Sequence, residues 1–222
     1  MLKTQNKLLV TAFFCFVQLS LFAQFSVGAR AGYSGTTVAV TATGTDETLD
    51  NTYLYSFNYA LVANIGLGKY LSLQPEVAYM EKGGIYELPP IPFIPLPDVY
   101  FTVQYLEVPL LVKFTIGEGL LSAFAEAGPT FGYGLDNNLQ VLNFNTPFDW
   151  GENGLQRLEI GATGGLGLQV NTAYGKLFVH GRYLYGFTDL EGVSEDLGGG
   201  LENISGFNAG LGYLYTFGGA SN

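Results

Sequence analysis

The chain has 222 residues, of which 48% are hydrophobic and 15% aromatic but only 13% charged. A disordered chain is rich in charge and poor in aromatics, so disorder is excluded, and the 31 glycines carry no period of three, which excludes collagen. A formal net charge of −10 repels phosphate and argues against a nucleic-acid partner.

Lys3 and Lys7 precede an apolar run from Leu8 to Ala23, with the small Ala23 just before Gln24. A charged start, an apolar middle and a small residue at the cut read as a secretory signal peptide over residues 1–23. An uncleaved anchor is the rival reading, but the run is shorter than the ~20 residues a helical span needs. Cys15 follows Phe13 and Phe14, where a lipoprotein signal wants small residues, so it does not mark lipidation. Cleavage removes the only cysteine and two of the nine bases, leaving seven bases against 19 acids and no thiol chemistry.

The remaining residues, 24–222, read as one domain of eight alternating segments. Side chains on a strand alternate between its two faces, so a period of two separates an apolar face from a polar one. Phe25, Val27, Ala29, Ala31 and Tyr33 alternate with Ser26, Arg30 and Ser34 in the first segment. The second sets Phe57, Tyr59, Leu61, Ala63, Ile65 and Leu67 against Asn58 and Asn64, and the third sets Leu71, Leu73, Val77 and Tyr79 against Ser72, Gln74 and Glu76. In the fourth, Leu106, Val108, Leu110, Val112 and Phe114 oppose Glu107, Leu111 and Lys113. The fifth runs from Leu121 to Tyr133, with Ser122, Glu126 and Thr130 on its minor face. The sixth (Leu158–Val170) opposes Glu159, Thr163, Gln169 and glycines to its apolar residues. The seventh (Leu177–Thr188) opposes His180 and Arg182, and the eighth runs from Ser205 to Phe217. Each segment is near the ~9–11 residues of a tilted membrane-crossing strand.

Connections alternate as well. Those at 66–69, 117–119 and 171–176 are tight and glycine-bearing, whereas 35–54, 83–100, 135–156 and 189–204 are long. Short periplasmic turns and longer outer loops characterise transmembrane barrels of the bacterial outer membrane. A soluble barrel of lipocalin type is the alternative, with apolar side chains inside and charges outside. Here every charged strand residue shares a face with the glycines, so a soluble barrel would expose an apolar girdle far beyond what a monomer tolerates. An outer-membrane, all-β, eight-stranded antiparallel transmembrane barrel instead gives that girdle to lipid. It buries Arg30, Glu76, Glu107, Lys113, Glu126, Glu159 and Arg182 in the lumen. Pro75, Pro109 and Pro129 lack a ladder donor, and a closed barrel has no edge to put them on, so bulges are expected there.

Tyr70–Gly84 (YLSLQPEVAYMEKGG), Tyr105–Pro129 (YLEVPLLVKFTIGEGLLSAFAEAGP) and Val179–Leu190 (VHGRYLYGFTDL) resemble the PorT-like outer-membrane barrel family of Bacteroidetes. Its members are similar in size and order to small OmpA/OmpX-type barrels. The resemblance rests on barrel-building residues; because the family's namesake is implicated in secretion and gliding machinery, an accessory of such a machine or a surface ligand binder is the alternative to a structural or surface-interaction role. Gly212–Phe217 also resembles the assembly signal read by the barrel-insertion machinery, which with outer-membrane lipid completes the expected partners; an aromatic girdle accounts for the same residues.

Catalytic chemistry finds little support. His180 is the single histidine, its strand phase points into the lumen, and no acid flanks it, so it reads as a satisfied interior residue. The glycine runs lie in no strand-to-helix turn with a basic residue, so they are not phosphate loops. No metal or cofactor set emerges. The long connections hold 13 acids, from Asp46 to Glu202, and no Lys or Arg. Carboxylates are hard ligands for divalent cations, but the spacing matches no calcium loop and a solvated acidic surface explains them. Leu88–Pro97 contains five prolines among Ile, Phe and Leu, a stiff apolar stretch suited to docking a partner or covering the barrel mouth. The sharpest expectation concerns the lumen. Arg30, Glu76, Glu126 and Arg182 fall at one level on alternate strands and form a structural charge cluster. Symmetric turns set Arg182 opposite Gly165 and Gly210, and His180 opposite Gly167 and Gly212.

Overall fold

The computed structural model describes residues 25–42, 51–86, 97–117, 119–142, 144–147, 149–151, 155–188 and 199–217. The expected signal peptide, most of the proline-rich stretch and nine of the 13 acids lie outside the described residues. Nine strands follow in chain order: β1 (Phe25–Ala42), β2 (Asn51–Gly66), β3 (Leu71–Tyr86), β4 (Val99–Ile116), β5 (Leu121–Val141), β6 (Phe144–Thr146), β7 (Leu158–Thr172), β8 (Gly175–Gly186) and β9 (Gly199–Thr216).

Antiparallel pairing runs β4-β3-β2-β1-β9-β8-β7-β5, and β4 pairs with β5, so eight strands close into a barrel; β6 only adds to the outer end of β5. Closure satisfies every ladder edge, which a bilayer demands because lipid offers no hydrogen bonds. First and last strands meet from Ser26↔Thr216 to Ala42↔Gly199. Ser26 Oγ and Thr216 Oγ1 lie 2.9 Å apart inside, Phe25 and Phe217 stack outside, and Phe217 N donates to Phe25 O at 3.0 Å. Both strand ends therefore sit beside the short turns at 67–70, 117–120 and 173–174. In the middle turn Gly117 and Gly119 adopt φ of 110° and 89°, a conformation glycine reaches without strain.

Outward and inward faces follow the alternation. Leu61, Leu110, Leu166, Leu211 and Tyr213 are exposed, whereas Arg30, Glu76, Lys113, Glu126 and Arg182 are buried. Aromatic girdles bracket the apolar band. Tyr70–Phe114 and Tyr215–Phe217 pair at the short-turn end, Tyr33–Phe57 and Tyr185–Phe187 at the other. Between them, roughly ten residues of strand at ~3.3 Å each and ~40° tilt match the ~25 Å band of such barrels.

The strands are longer than the alternation alone implies. β5 continues to Val141 and β9 begins at Gly199, so Asp136 and Glu202 belong to strands rather than loops. Beyond the outer girdle the polarity of the two faces reverses. On β4, Leu106, Val108, Leu110, Val112 and Phe114 face out, but further along the same strand Thr102 and Gln104 face out while Phe101, Val103 and Tyr105 are buried. Those three join Val38, Leu155 and Ile204 in an apolar cluster, with Tyr86, Leu139 and Trp150 against it.

None of the three prolines sits in a bulge. Pro75 pairs with Leu110, Pro109 with Thr130 and Pro129 with Ala162, each without a register shift. The missing N–H falls toward the opposite neighbour, where the ladder skips two pairs and then resumes in the same register. Shifts occur instead at Val38/Val40, Tyr53/Tyr59 and Gln104/Tyr105. Near Tyr53/Tyr59, side chains satisfy the backbone. Ser56 Oγ donates to Glu81 O at 2.7 Å, and Gly83 N donates to Thr36 Oγ1 at 2.9 Å.

Candidate functional site: the charged lumen

A barrel of eight strands has an interior that side chains can just fill, and here the filling is layered. Arg30 (β1), Glu76 (β3), Glu126 (β5) and Arg182 (β8) come together at its middle. Arg182 grips Glu76 in bidentate fashion, Nη2 to Oε1 at 2.6 Å and Nη1 to Oε2 at 3.0 Å. Its Nε donates to Glu126 Oε1 at 2.7 Å. Arg30 Nε donates to Glu76 Oε2 at 2.7 Å and its Nη1 to Asn58 Oδ1 at 2.7 Å. Gln74 Nε2 donates to the remaining carboxylate oxygen, Glu126 Oε2, at 3.2 Å, and also to Glu76 Oε1 at 2.9 Å. Glu76 is thus the hub, held by both guanidiniums and 1% exposed. Planar guanidinium forks match carboxylates bidentately, which makes such bonds stronger than neutral ones.

Room for these long side chains comes from glycine. A Cβ on Gly165, directly opposite Arg182, would stand 2.8 Å from the arginine Cγ. On the other side the expected pairing fails. β8 and β9 are offset by two residues from a symmetric loop, so Arg182 faces Asn208 and His180 faces Gly210, while Gly212 faces Phe178. A Cβ on Gly210 would lie 2.7 Å from His180 Nε2, and one on Gly212 would crowd Phe178 and Arg30. His180 itself departs from the expected satisfied residue. It is buried, but neither ring nitrogen has a hydrogen-bond partner among the described residues. With no carboxylate bonded to it and no nucleophile beside it, it forms no triad there.

A second cluster lies toward the long-loop end. Lys82 Nζ bonds Glu107 Oε2 and reaches both oxygens of Glu159, at 3.1 and 3.0 Å, with the Tyr105 ring 5.4 Å from the ammonium. Glu107 and Glu159 are legible in the sequence as lumenal, but Lys82 is not, because the apolar alternation of the third segment ends at Tyr79. Two signals mark it in the sequence. It continues the even-numbered inward phase of Ser72, Gln74 and Glu76, and it evens a lumen that otherwise holds three bases against four acids. Toward the short turns, Ala60, Val62, Ala78, Phe124, Phe178 and Leu214 form an apolar layer. Lys113 Nζ rests over the Phe124 ring, 3.6 Å from its centre. Among the described residues no group of three His, Cys, Asp or Glu could hold a metal ion.

The model of a family described as "Outer membrane protein beta-barrel domain" matches residues 18–192. No curated protein matches the chain. Among solved structures, Neisserial surface protein A is similar at 13% identity, covering 88% of this chain and 99% of its own, with a TM-score of 0.52. The outer membrane protein OprG from Pseudomonas aeruginosa is similar at 11% identity over 87% of this chain and 96% of its own, with a TM-score of 0.49. Ail, the attachment invasion locus protein of Yersinia pestis, is similar at 15% identity over 87% and 99%, with a TM-score of 0.43. At these identities the first likeness speaks to fold.

Proposed function

Because the chain belongs to the outer membrane protein β-barrel domain family and resides in the outer membrane, we propose that it is a non-enzymatic, non-conducting anchor that presents a rigid surface outside the cell. The observation that carries this reading is the closed outer end of the lumen. Phe101, Val103, Tyr105, Val38, Leu155 and Ile204 are nearly inaccessible there, and the Lys82–Glu107–Glu159 cluster lies beneath them. A path for solute would have to break both layers. The buried charges serve as structural pins rather than as a reaction centre, since every acid in the middle cluster is already bonded to a guanidinium.

What remains for function is the wall beyond the outer girdle and the acid-rich connections above it, a platform for a protein or glycan partner. Within the family, the resemblance of Tyr70–Gly84, Tyr105–Pro129 and Val179–Leu190 to PorT-like barrels supports the finer assignment and favours a secretion or gliding accessory as the second reading. Planar-bilayer recording on the refolded barrel tests the first part, with no unitary conductance expected and steady channels overturning it. Co-purification after cross-linking in intact cells separates the two readings. A lone barrel supports the anchor, and stoichiometric partners spanning the envelope support the accessory.

A further inference from the structure

Below the Phe124–Phe178 layer the lumen opens toward the short turns as a cavity of about 1050 Å³. Lys113 and Lys176 line it, and no acid does among the described residues. Arg30, Lys82 and Arg182, the cations of the two charge clusters, each hold a carboxylate. Lys113 does not, although it is only 2% exposed. Its cross-strand neighbour Glu126 is already engaged by Arg182 and Gln74. The ammonium is left with the Phe124 and Phe178 rings, 3.6 and 5.3 Å from their centres. Cation–π contacts offset part of a buried charge's desolvation, but a buried ammonium ordinarily also has an ionic or hydrogen-bonding partner.

Two hydroxyls that line the cavity are set as donors. Ser72 Oγ accepts a hydrogen bond from Asn64 at 2.9 Å, and Ser122 Oγ accepts one from Asn171 at 2.6 Å. Each hydroxyl therefore keeps its own proton to give. One side-chain acceptor of the lining is buried without a donor among the described residues, Gln169 Oε1. Two ammoniums, two hydroxyl donors and one acceptor describe a particular guest, an oxyanion that still carries a proton.

We propose that this cavity is a periplasm-facing binding site for a phosphate group, with Lys113 at its base, Lys176 at its side, and Gln169 accepting the proton of hydrogen phosphate. Free phosphate and the phosphomonoester headgroup of phosphatidate present the same chemistry, whereas a phosphodiester headgroup carries no such proton.

The test uses the mature barrel folded in octyl glucoside, a detergent without phosphate, and titrates inorganic phosphate by calorimetry at constant ionic strength. Saturable binding is expected, tighter by at least tenfold than that of sulfate, which carries no proton at neutral pH. Lys113→Met and Lys176→Gln should each weaken it tenfold or more. Lys176 stands near the mouth of the cavity, so its variant keeps the test open should Lys113→Met fold poorly. Resistance of each variant to SDS before boiling verifies closure. Competition by dihexanoyl phosphatidate identifies the source: displacement below equimolar ratio marks a lipid headgroup, and weak displacement marks the free anion. Non-saturable heats with the wild-type barrel, or affinity unchanged in both lysine variants, overturns the site.

Discussion

The band of wall between the aromatic girdles and the wall beyond the outer girdle belong to the same strands, yet they obey opposite rules. On β4 the residues from Leu106 to Phe114 turn apolar side chains outward and Glu107 and Lys113 inward, whereas Phe101, Val103 and Tyr105 point inward with Thr102 and Gln104 outside. On β4 the backbone phase does not change across the switch. What changes is the solvent around the wall, lipid in one region and water in the other. A strand can therefore be read only together with the medium it crosses. Inside the lipid band, specificity comes from paired charges; beyond it, from a small apolar core like that of a soluble barrel.

Substitutions can break each half of that contrast separately, with urea unfolding in phospholipid vesicles as the common measurement. The largest loss is expected for Glu76→Ala, which leaves Arg30 without a carboxylate and Arg182 with only Glu126, and should reach or exceed the ~3–5 kcal/mol typical of breaking one buried pair. Arg182→Ala should cost about 3–5 kcal/mol. Combining it with Glu126→Ala should cost clearly less than the sum, and strictly additive losses would show that the cluster is not a coupled unit. In the outer region Phe101→Ala should cost a similar ~3–5 kcal/mol through its cavity, with no rescue from any charge change. On the lipid face Leu110→Arg should cost ~2–4 kcal/mol, as charges at the bilayer midplane do. The smallest effect is expected for Gln104→Arg, at ~0–1 kcal/mol, because it points outward above the band. A Gln104→Arg penalty equal to that of Leu110→Arg would erase the boundary between the two regions.

The same boundary explains what the residues disclosed in advance and what they withheld. The eight segments, their inward charges and the short-turn end were legible because lipid forces a strict period of two between the girdles. Lys82 and the outer strand extensions were hidden because that period, judged by an apolar outer face, ends at Tyr79 even though the strand does not. Proline misled for a different reason. A ladder residue donates toward only one neighbour, so Pro75, Pro109 and Pro129 can each lose a bond on one side and stay in register, which no local pattern reveals. The pairing of Arg182 with Asn208 depended on an asymmetric connection between β8 and β9, and loop symmetry is not written in strand composition.

The clasp between Phe25 and Phe217 gives the barrel a property of another kind. With the two strand ends bonded side by side at the turn-bearing rim, the wall is a ring with a single nick, and nothing in the ladder singles out where that nick must be. A few residues joining the strand ends, with new termini opened between Ala173 and Tyr174, would leave all eight pairings intact. Such a permuted barrel should insert and close with the same pairings as the native one, and each short turn becomes an equivalent port for grafting a cargo onto the inner rim.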